Sequence, residues 1–151
     1  MKITWVLKKF ENLSPLELYK IMQLRAEVFV VEQNCVYQDV DGKDLKSLHL
    51  FGTNESDEVI AYSRIVPAGI SFKEISIGRV VSSPKARGTR VGKELMKQSL
   101  EKIKELYGNV PIRIGAQCYL KKFYADLGFV AEGEEYLEDN IPHIEMLIGY
   151  E

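Results

Sequence analysis

Apolar and polar positions alternate at the start of the chain. Ile3, Trp5 and Leu7 share one face of residues 2–10, the period of a half-buried strand. Ser14-Pro15-Leu16-Glu17 then joins an N-cap hydroxyl, a proline at the first helical position and an acid at the third, which predicts a helix to about Phe29. Residues 30–46 lose all periodicity and carry Glu32, Asp39, Asp41 and Asp44 around Gly42, so a loop is expected. Two strands, 48–53 and 58–68, are joined by the turn-forming Asn54-Glu55-Ser56-Asp57. A third strand at 74–82 is dense in β-branched residues and stops at Ser83-Pro84, because proline cannot continue a ladder. Val91, Leu95, Ile103 and Leu106 recur at helical spacing up to the Gly108-Asn109 stop. A short strand at 111–116, a short helix at 119–127 closed by Gly128 and a final antiparallel pair over 129–150 complete the pattern. With no repeat or linker between these elements, the chain reads as one mixed α/β (α+β) domain over 1–151.

Composition narrows the function. Apolar residues make up 46% and charged ones 28%, as in ordinary soluble domains. Twenty basic residues against 22 acidic ones leave a charge of -2, which lacks the positive field that nucleic acid or an anionic membrane requires. Neither partner is expected. Cys35 and Cys118 are too few for a disulfide framework, and residues 1–17 hold no apolar run fit for a signal peptide or membrane span, so a cytoplasmic location is expected.

The densest chemical signal lies between the third strand and the long helix, in Arg87-Gly88-Thr89-Arg90-Val91-Gly92-Lys93. A helix N-terminus presents free backbone N–H groups, Gly88 and Gly92 let an anion approach the main chain, and Arg87, Arg90 and Lys93 add charged donors. By composition alone, a plain basic turn with a tight bend fits equally. Two phosphate motifs are excluded. A P-loop needs four residues between its glycines and Ser or Thr after its lysine, whereas three residues and Glu94 stand here; the pattern GxGxxG is absent.

The same segment resembles the GNAT superfamily of acetyl-CoA-dependent N-acetyltransferases, whose signature is Arg/Gln-x-x-Gly-x-Gly/Ala. Arg87-Gly88-Thr89-Arg90-Val91-Gly92 matches its first and last positions and departs at the middle glycine, where Arg90 stands. Phe123-Tyr124-Ala125-Asp126-Leu127-Gly128-Phe129 resembles the family's second hallmark, in the family's order. Arg25-Ala26-Glu27-Val28-Phe29-Val30-Val31-Glu32-Gln33, with Asp39, Asp41, Asp44 and His49-Leu50 after it, is similar to the ElaA-like subgroup. The resemblance spans nearly the whole chain.

It implies a central mixed, mostly antiparallel sheet of about six to seven strands flanked by helices. It also implies acetyl-CoA as cosubstrate, no metal, and a primary amine of a small molecule or peptide as acceptor; homodimers are common among such domains. Direct attack of the neutral amine would leave geometry to supply most of the rate, about 7–11 kcal/mol of barrier. By the same resemblance, cofactor contacts fall to Val80, Val81, Arg87, Gly88, Thr89, Arg90, Val91, Gly92 and Lys93. Backbone groups at Val80 and Val81 would face the thioester carbonyl, and Tyr124 would protonate the leaving thiolate. Glu32 is the leading candidate for general base and His49 the second. Asp39, Asp41 and Asp44 would attract a cationic amine or form a solvated loop. An EF-hand frame fails, since Tyr37 and Leu48 stand where it needs acids. Cys118 lacks a neighbouring His and reads as structural. The rival reading is a binding module of the same fold that holds an acyl-CoA without turnover.

Overall fold

A computed structural model describes residues 2–149. Met1, Tyr150 and Glu151, which the expected domain and final strand pair include, lie outside them. The described residues form seven strands in two antiparallel sheets, ordered β1-β2-β3-β4 and β5-β7-β6. The first sheet comprises β1 (Thr4–Lys9), β2 (Leu48–Thr53), β3 (Val59–Val66) and β4 (Ser76–Ser82). The second comprises β5 (Ile112–Gln117), β6 (Val130–Glu138) and β7 (Ile141–Ile148). The expected mostly antiparallel sheet of six to seven strands is thus present as two halves. One parallel bridge, Ile75 to Ile112, links the halves, with Arg113 N–H donating to Ile75 O at 2.9 Å. Beyond it β4 and β5 have no ladder between them.

Helices cover both faces of the first sheet. The capping box starts α1 (Pro15–Arg25) as predicted: Glu17 N–H donates to Ser14 Oγ at 3.0 Å, and Ser14 N–H donates to Glu17 Oε1 at 2.8 Å. The helix does not continue to Phe29 with α geometry. Ala26–Glu32 widens into a π-helical turn, with Gln33 N–H donating to Val28 O, five residues back. Such widening carries an extra residue per turn and is frequent beside functional sites. Ile21, Leu24, Val28 and Phe29 pack on Phe51, Tyr62 and Val81 of the sheet. On the other face, α2 (Val91–Tyr107) buries Val91 and Leu95 against Leu50 and Ile60. Met96 and Ile103 reach the second sheet's core beside Tyr124 and Phe129, where the short α3 (Lys121–Ala125) packs. No helix among the described residues is long and apolar enough to cross a membrane.

Arg90 caps α2 at φ 63°, ψ 19°, in the left-handed region, and its side chain makes no capping bond. A non-glycine residue there costs about 1–2 kcal/mol, against the 0.5–1 kcal/mol or so that glycine loses through unfolded-chain entropy. Arg90→Gly is therefore expected to raise stability by up to about 1 kcal/mol, seen as a thermal midpoint about 2–4 °C higher. A lower midpoint would show that the guanidinium contributes more than its backbone strain costs.

Candidate active site

Where β4 and β5 part, a cavity of about 900 Å³ opens between the two sheets. One wall is the edge of β4 from Ser76 to Ser82, the other the C-terminal half of β5, and Tyr124 is among the lining residues. β4 is bulged. Tyr62 pairs with Val81 and Arg64 with Gly78, so Arg79 and Val80 together oppose Ser63. Arg79 takes up the bulge at φ 50°, another left-handed non-glycine residue.

What holds Arg79 is the acidic loop. Its Nε donates to Asp39 Oδ1 at 2.8 Å, Nη2 to Asp39 O at 3.0 Å, and the guanidinium lies 5.4 Å from the Tyr37 ring centroid. Arg25, fully buried, donates to Asp39 Oδ2 at 3.0 Å and Asp44 Oδ1 at 2.7 Å. Arg64 donates to Asp41 Oδ1 at 2.8 Å and Asp44 Oδ1 at 3.0 Å. Three arginines thus balance three aspartates. This corrects both readings of Asp39, Asp41 and Asp44: all three are paired with arginines, Asp39 and Asp44 largely out of solvent, so none is free to attract a cationic amine. Burial alone would raise the Asp41 carboxyl, but Arg64 outweighs it and holds the group at about 2.

The expected site residues fall into two groups. Val80, Val81, Arg87, Gly92 and Tyr124 line the cavity. Gly88, Thr89, Arg90 and Lys93 are exposed and do not line it; Val91 turns its side chain into the core. The first intrahelical bond of α2 is Glu94 N–H to Arg90 O, so the amides of Val91, Gly92 and Lys93 precede the ladder at the helix's positive end. A Cβ on Gly92 would come 3.9 Å from Phe123 Cζ, so any larger side chain there must project along the cavity wall.

Glu32 lines the cavity too, but its carboxylate is held bidentately by Arg87, at 2.6 and 2.8 Å. The Arg87 hydrogen bonds push its pKa below the usual carboxylate range, which weakens it as a base. His49 is placed elsewhere. It is fully buried and absent from the cavity wall, with Nε2–H donating to Asp44 O at 2.9 Å and Nδ1 accepting from Tyr62 Oη at 2.7 Å. Because a carbonyl only accepts, that tautomer leaves no lone pair free, and burial lowers the pKa further toward the neutral ring. His49 has no route to an acceptor amine, which corrects the sequence expectation.

Tyr124 is 6% exposed, with edge-on contacts to Phe123 and Phe129 and, among the described residues, no hydrogen-bond partner for its hydroxyl. Desolvation raises its pKa, so the phenol stays protonated. Opposite β5, His143 also lines the cavity, stacked on Tyr136 at 5.8 Å. Gly115 makes room for that stack, since a Cβ there would meet Tyr136 Oη at 2.8 Å. Sequence reasoning missed Arg79, Tyr136 and His143. Nothing local marks them: they reach the cavity through strand pairing and the loop's ion pairs.

Residues 17–149 match the family described as an acetyltransferase (GNAT) domain. The chain is 43% identical to the protein ElaA of Escherichia coli (strain K12) over 146 residues, 95% of each chain. The E. coli ElaA crystal structure superposes with a TM-score of 0.89, and that of an acyl-CoA N-acyltransferase from Pseudomonas aeruginosa with 0.91; both are 42% identical and cover 97% of this chain and 99% of theirs. An aminoglycoside 6'-N-acetyltransferase complexed with coenzyme A shares the fold at 17% identity, with a TM-score of 0.68 over 95% of this chain and 96% of that one. With the glycine turn, the parted strands and the buried tyrosine in place, these likenesses establish that the chain belongs to the GNAT acetyltransferase family.

Proposed function

We propose that this chain, as one domain over 1–151, transfers an acetyl group from acetyl-CoA to a primary amine of a small molecule or peptide, by direct attack within a ternary complex. The observation that carries the reading is the parting of β4 and β5 into a cavity that has the α2 amide end at one border and an unpartnered, buried phenol inside. The fit to an acyl-CoA rests on the chemistry of these groups. Free amides of Val91, Gly92 and Lys93, with Arg90 and Lys93 exposed beside them, suit a pyrophosphate. The unpaired edge of β4 suits an amide-bearing arm that adds to it like a strand.

At the reacting end, a main-chain N–H near Val80 or Val81 stabilises the developing oxyanion, and Tyr124 donates its proton to the departing thiolate. The burial that disfavours a phenolate equally disfavours a bare thiolate, so the transfer need not work against the full solution pKa difference. Arg87 is released to a phosphate only when it leaves Glu32. Both cysteines carry free thiols, which fits a reducing compartment.

Titration calorimetry with acetyl-CoA, CoA and ATP, followed by free-thiol release over an amine panel, tests the proposal. CoA binding with no thiol release on any amine would favour the non-catalytic acyl-CoA-binding module; binding of ATP alone would overturn the reading. Gly92→Trp is expected to weaken CoA binding at least ~100-fold, about 2.7 kcal/mol, by filling the cradle, while its thermal midpoint stays close to that of the parent. Unchanged affinity would move the pyrophosphate to another place.

A further inference from the structure

The acceptor amine must arrive as an ammonium and lose a proton before it can attack, and neither expected base is suited to take it. Glu32 is tied to Arg87, and His49 has both nitrogens engaged outside the cavity. The second histidine has the opposite arrangement. His143 Nδ1 lies 2.7 Å from Ile141 O; a carbonyl only accepts, so Nδ1 carries the hydrogen and the Nε2 lone pair is left free. Nε2 makes no hydrogen bond among the described residues, and its nearest charged neighbour is Glu138 Oε2 at 3.4 Å. His143 is 7% exposed, and it lines the cavity.

Its position relative to Tyr124 follows from β5. His143 pairs with Gln117, the last residue of that strand, and α3 with Tyr124 begins four residues further on. Ala116 and Ile144 turn into the core that Tyr124 shares, while Gln117 and His143 take the alternate face. The acid and the free imidazole nitrogen therefore stand on the two sides of the C-terminal end of β5. Across from His143, Gln117 meets Gln33 of the segment after the π-helical turn at 3.5 Å, and Cys35 Sγ lies 3.6 Å from Asp139 O, so this wall is closed by the chain itself.

We infer that His143 is the proton acceptor for the amine, on an acceptor subsite formed by the outer face of β7 and β6, and that Glu138 steadies the imidazolium. This rests on the transfer reading above. Nε2 takes the first proton of R–NH3+, giving the neutral amine that attacks; the N–C bond forms and the C–S bond breaks. The second nitrogen proton balances the one that the thiolate receives through Tyr124, and His143 returns its proton to solvent. Titratable groups sharing this wall are Glu138 and Tyr136 on β6, Asp139 in the turn, Glu145 on β7 (itself 3.1 Å from Arg113), and Cys35.

His143→Asn tests the assignment, because an asparagine amide can keep the bond to Ile141 O while removing the base. With an amine accepted by the parent, the variant is expected to lose ~100-fold or more in kcat/KM at pH 7 and to recover with rising pH as solvent deprotonates the amine, with acetyl-CoA affinity and thermal midpoint unchanged. Glu138→Gln is expected to lower kcat/KM several-fold at pH 7 with acetyl-CoA affinity unchanged, since the carboxylate 3.4 Å from Nε2 is lost. An unchanged rate and pH profile in His143→Asn would overturn the inference, as would loss of acetyl-CoA affinity in step with rate. If His143→Asn does not fold, an unchanged kcat/KM in Glu138→Gln overturns it. A parent protein that binds CoA but releases no thiol with any amine would instead remove the transfer reading, and this inference with it.

Discussion

Arg25→Met is expected to lower folding stability by about 3–5 kcal/mol, the usual cost of removing one member of a buried ion pair, and the thermal midpoint by about 6–20 °C. Arg25 is fully buried, donates to Asp39 and Asp44 at 2.7–3.0 Å and lies 5.6 Å over the Tyr62 ring. Its loss leaves three aspartates with two arginines, and the two that Arg25 touches, Asp39 and Asp44, keep only 10% and 4% of their side-chain surface exposed. Restoring the count with Arg25→Met and Asp44→Leu together is expected to recover part of the loss, since the cost arises from the uncompensated charge more than from the missing attraction. Denaturant melts of the three proteins decide it; a single-variant cost under about 1 kcal/mol would show that the cluster is hydrated.

The same cluster sets an acid limit. Burial acts to raise Asp41 and Asp44, but Arg64 and Arg25 outweigh it, so both carboxyls lie below their ordinary range, Asp41 at about 2. A depressed folded pKa contributes stability that is fully present above the unfolded value of ~3.9 and is lost as pH falls through the folded one. The stability contributed by Asp41 is thus expected to persist above about pH 4 and to decline toward pH 2.

Tyr124→Phe is expected to lower kcat by roughly 10²–10⁴, at least about 2.7 kcal/mol of barrier, while leaving the acetyl-CoA KM within about threefold. The hydroxyl makes no hydrogen bond among the described residues, and the ring contacts with Phe123 and Phe129 survive the change, so little stability is at stake. A kcat effect without a stability effect separates proton donation from packing. Retention of full kcat would remove Tyr124 from the chemistry.

Much of the fold was legible because its signals are local. The Ser14 box needs only residues 14–17, and the α2 period with its Gly108 stop predicted Val91–Tyr107 to the residue. The strand pair around Asn54 was equally plain, since Asn54 Oδ1 accepts from the amides of Ser56 and Glu58 within its own turn. The glycine turn and Tyr124 could be found from a resemblance carried by short motifs. His49 and His143 show the limit: each is a lone histidine in a strand, and only the partners across the fold tell a satisfied ring from a poised one.

By itself, then, the sequence determined the order and type of elements, the cap of α1, the helix-end turn at 87–93 and the short helix that carries Tyr124, because periodicity, capping and turn chemistry act over a few residues. Tertiary structure alone decided that the sheet parts between β4 and β5, that Arg79 bulges β4 under the grip of Asp39, and that the acidic loop is neutralised. It also decided that His143, and not His49, faces the cavity. Each of these depends on groups brought together from 14 to 40 positions apart, or on a strand pairing such as Gln117 to His143, and the energy of such contacts exists only once the chain has folded.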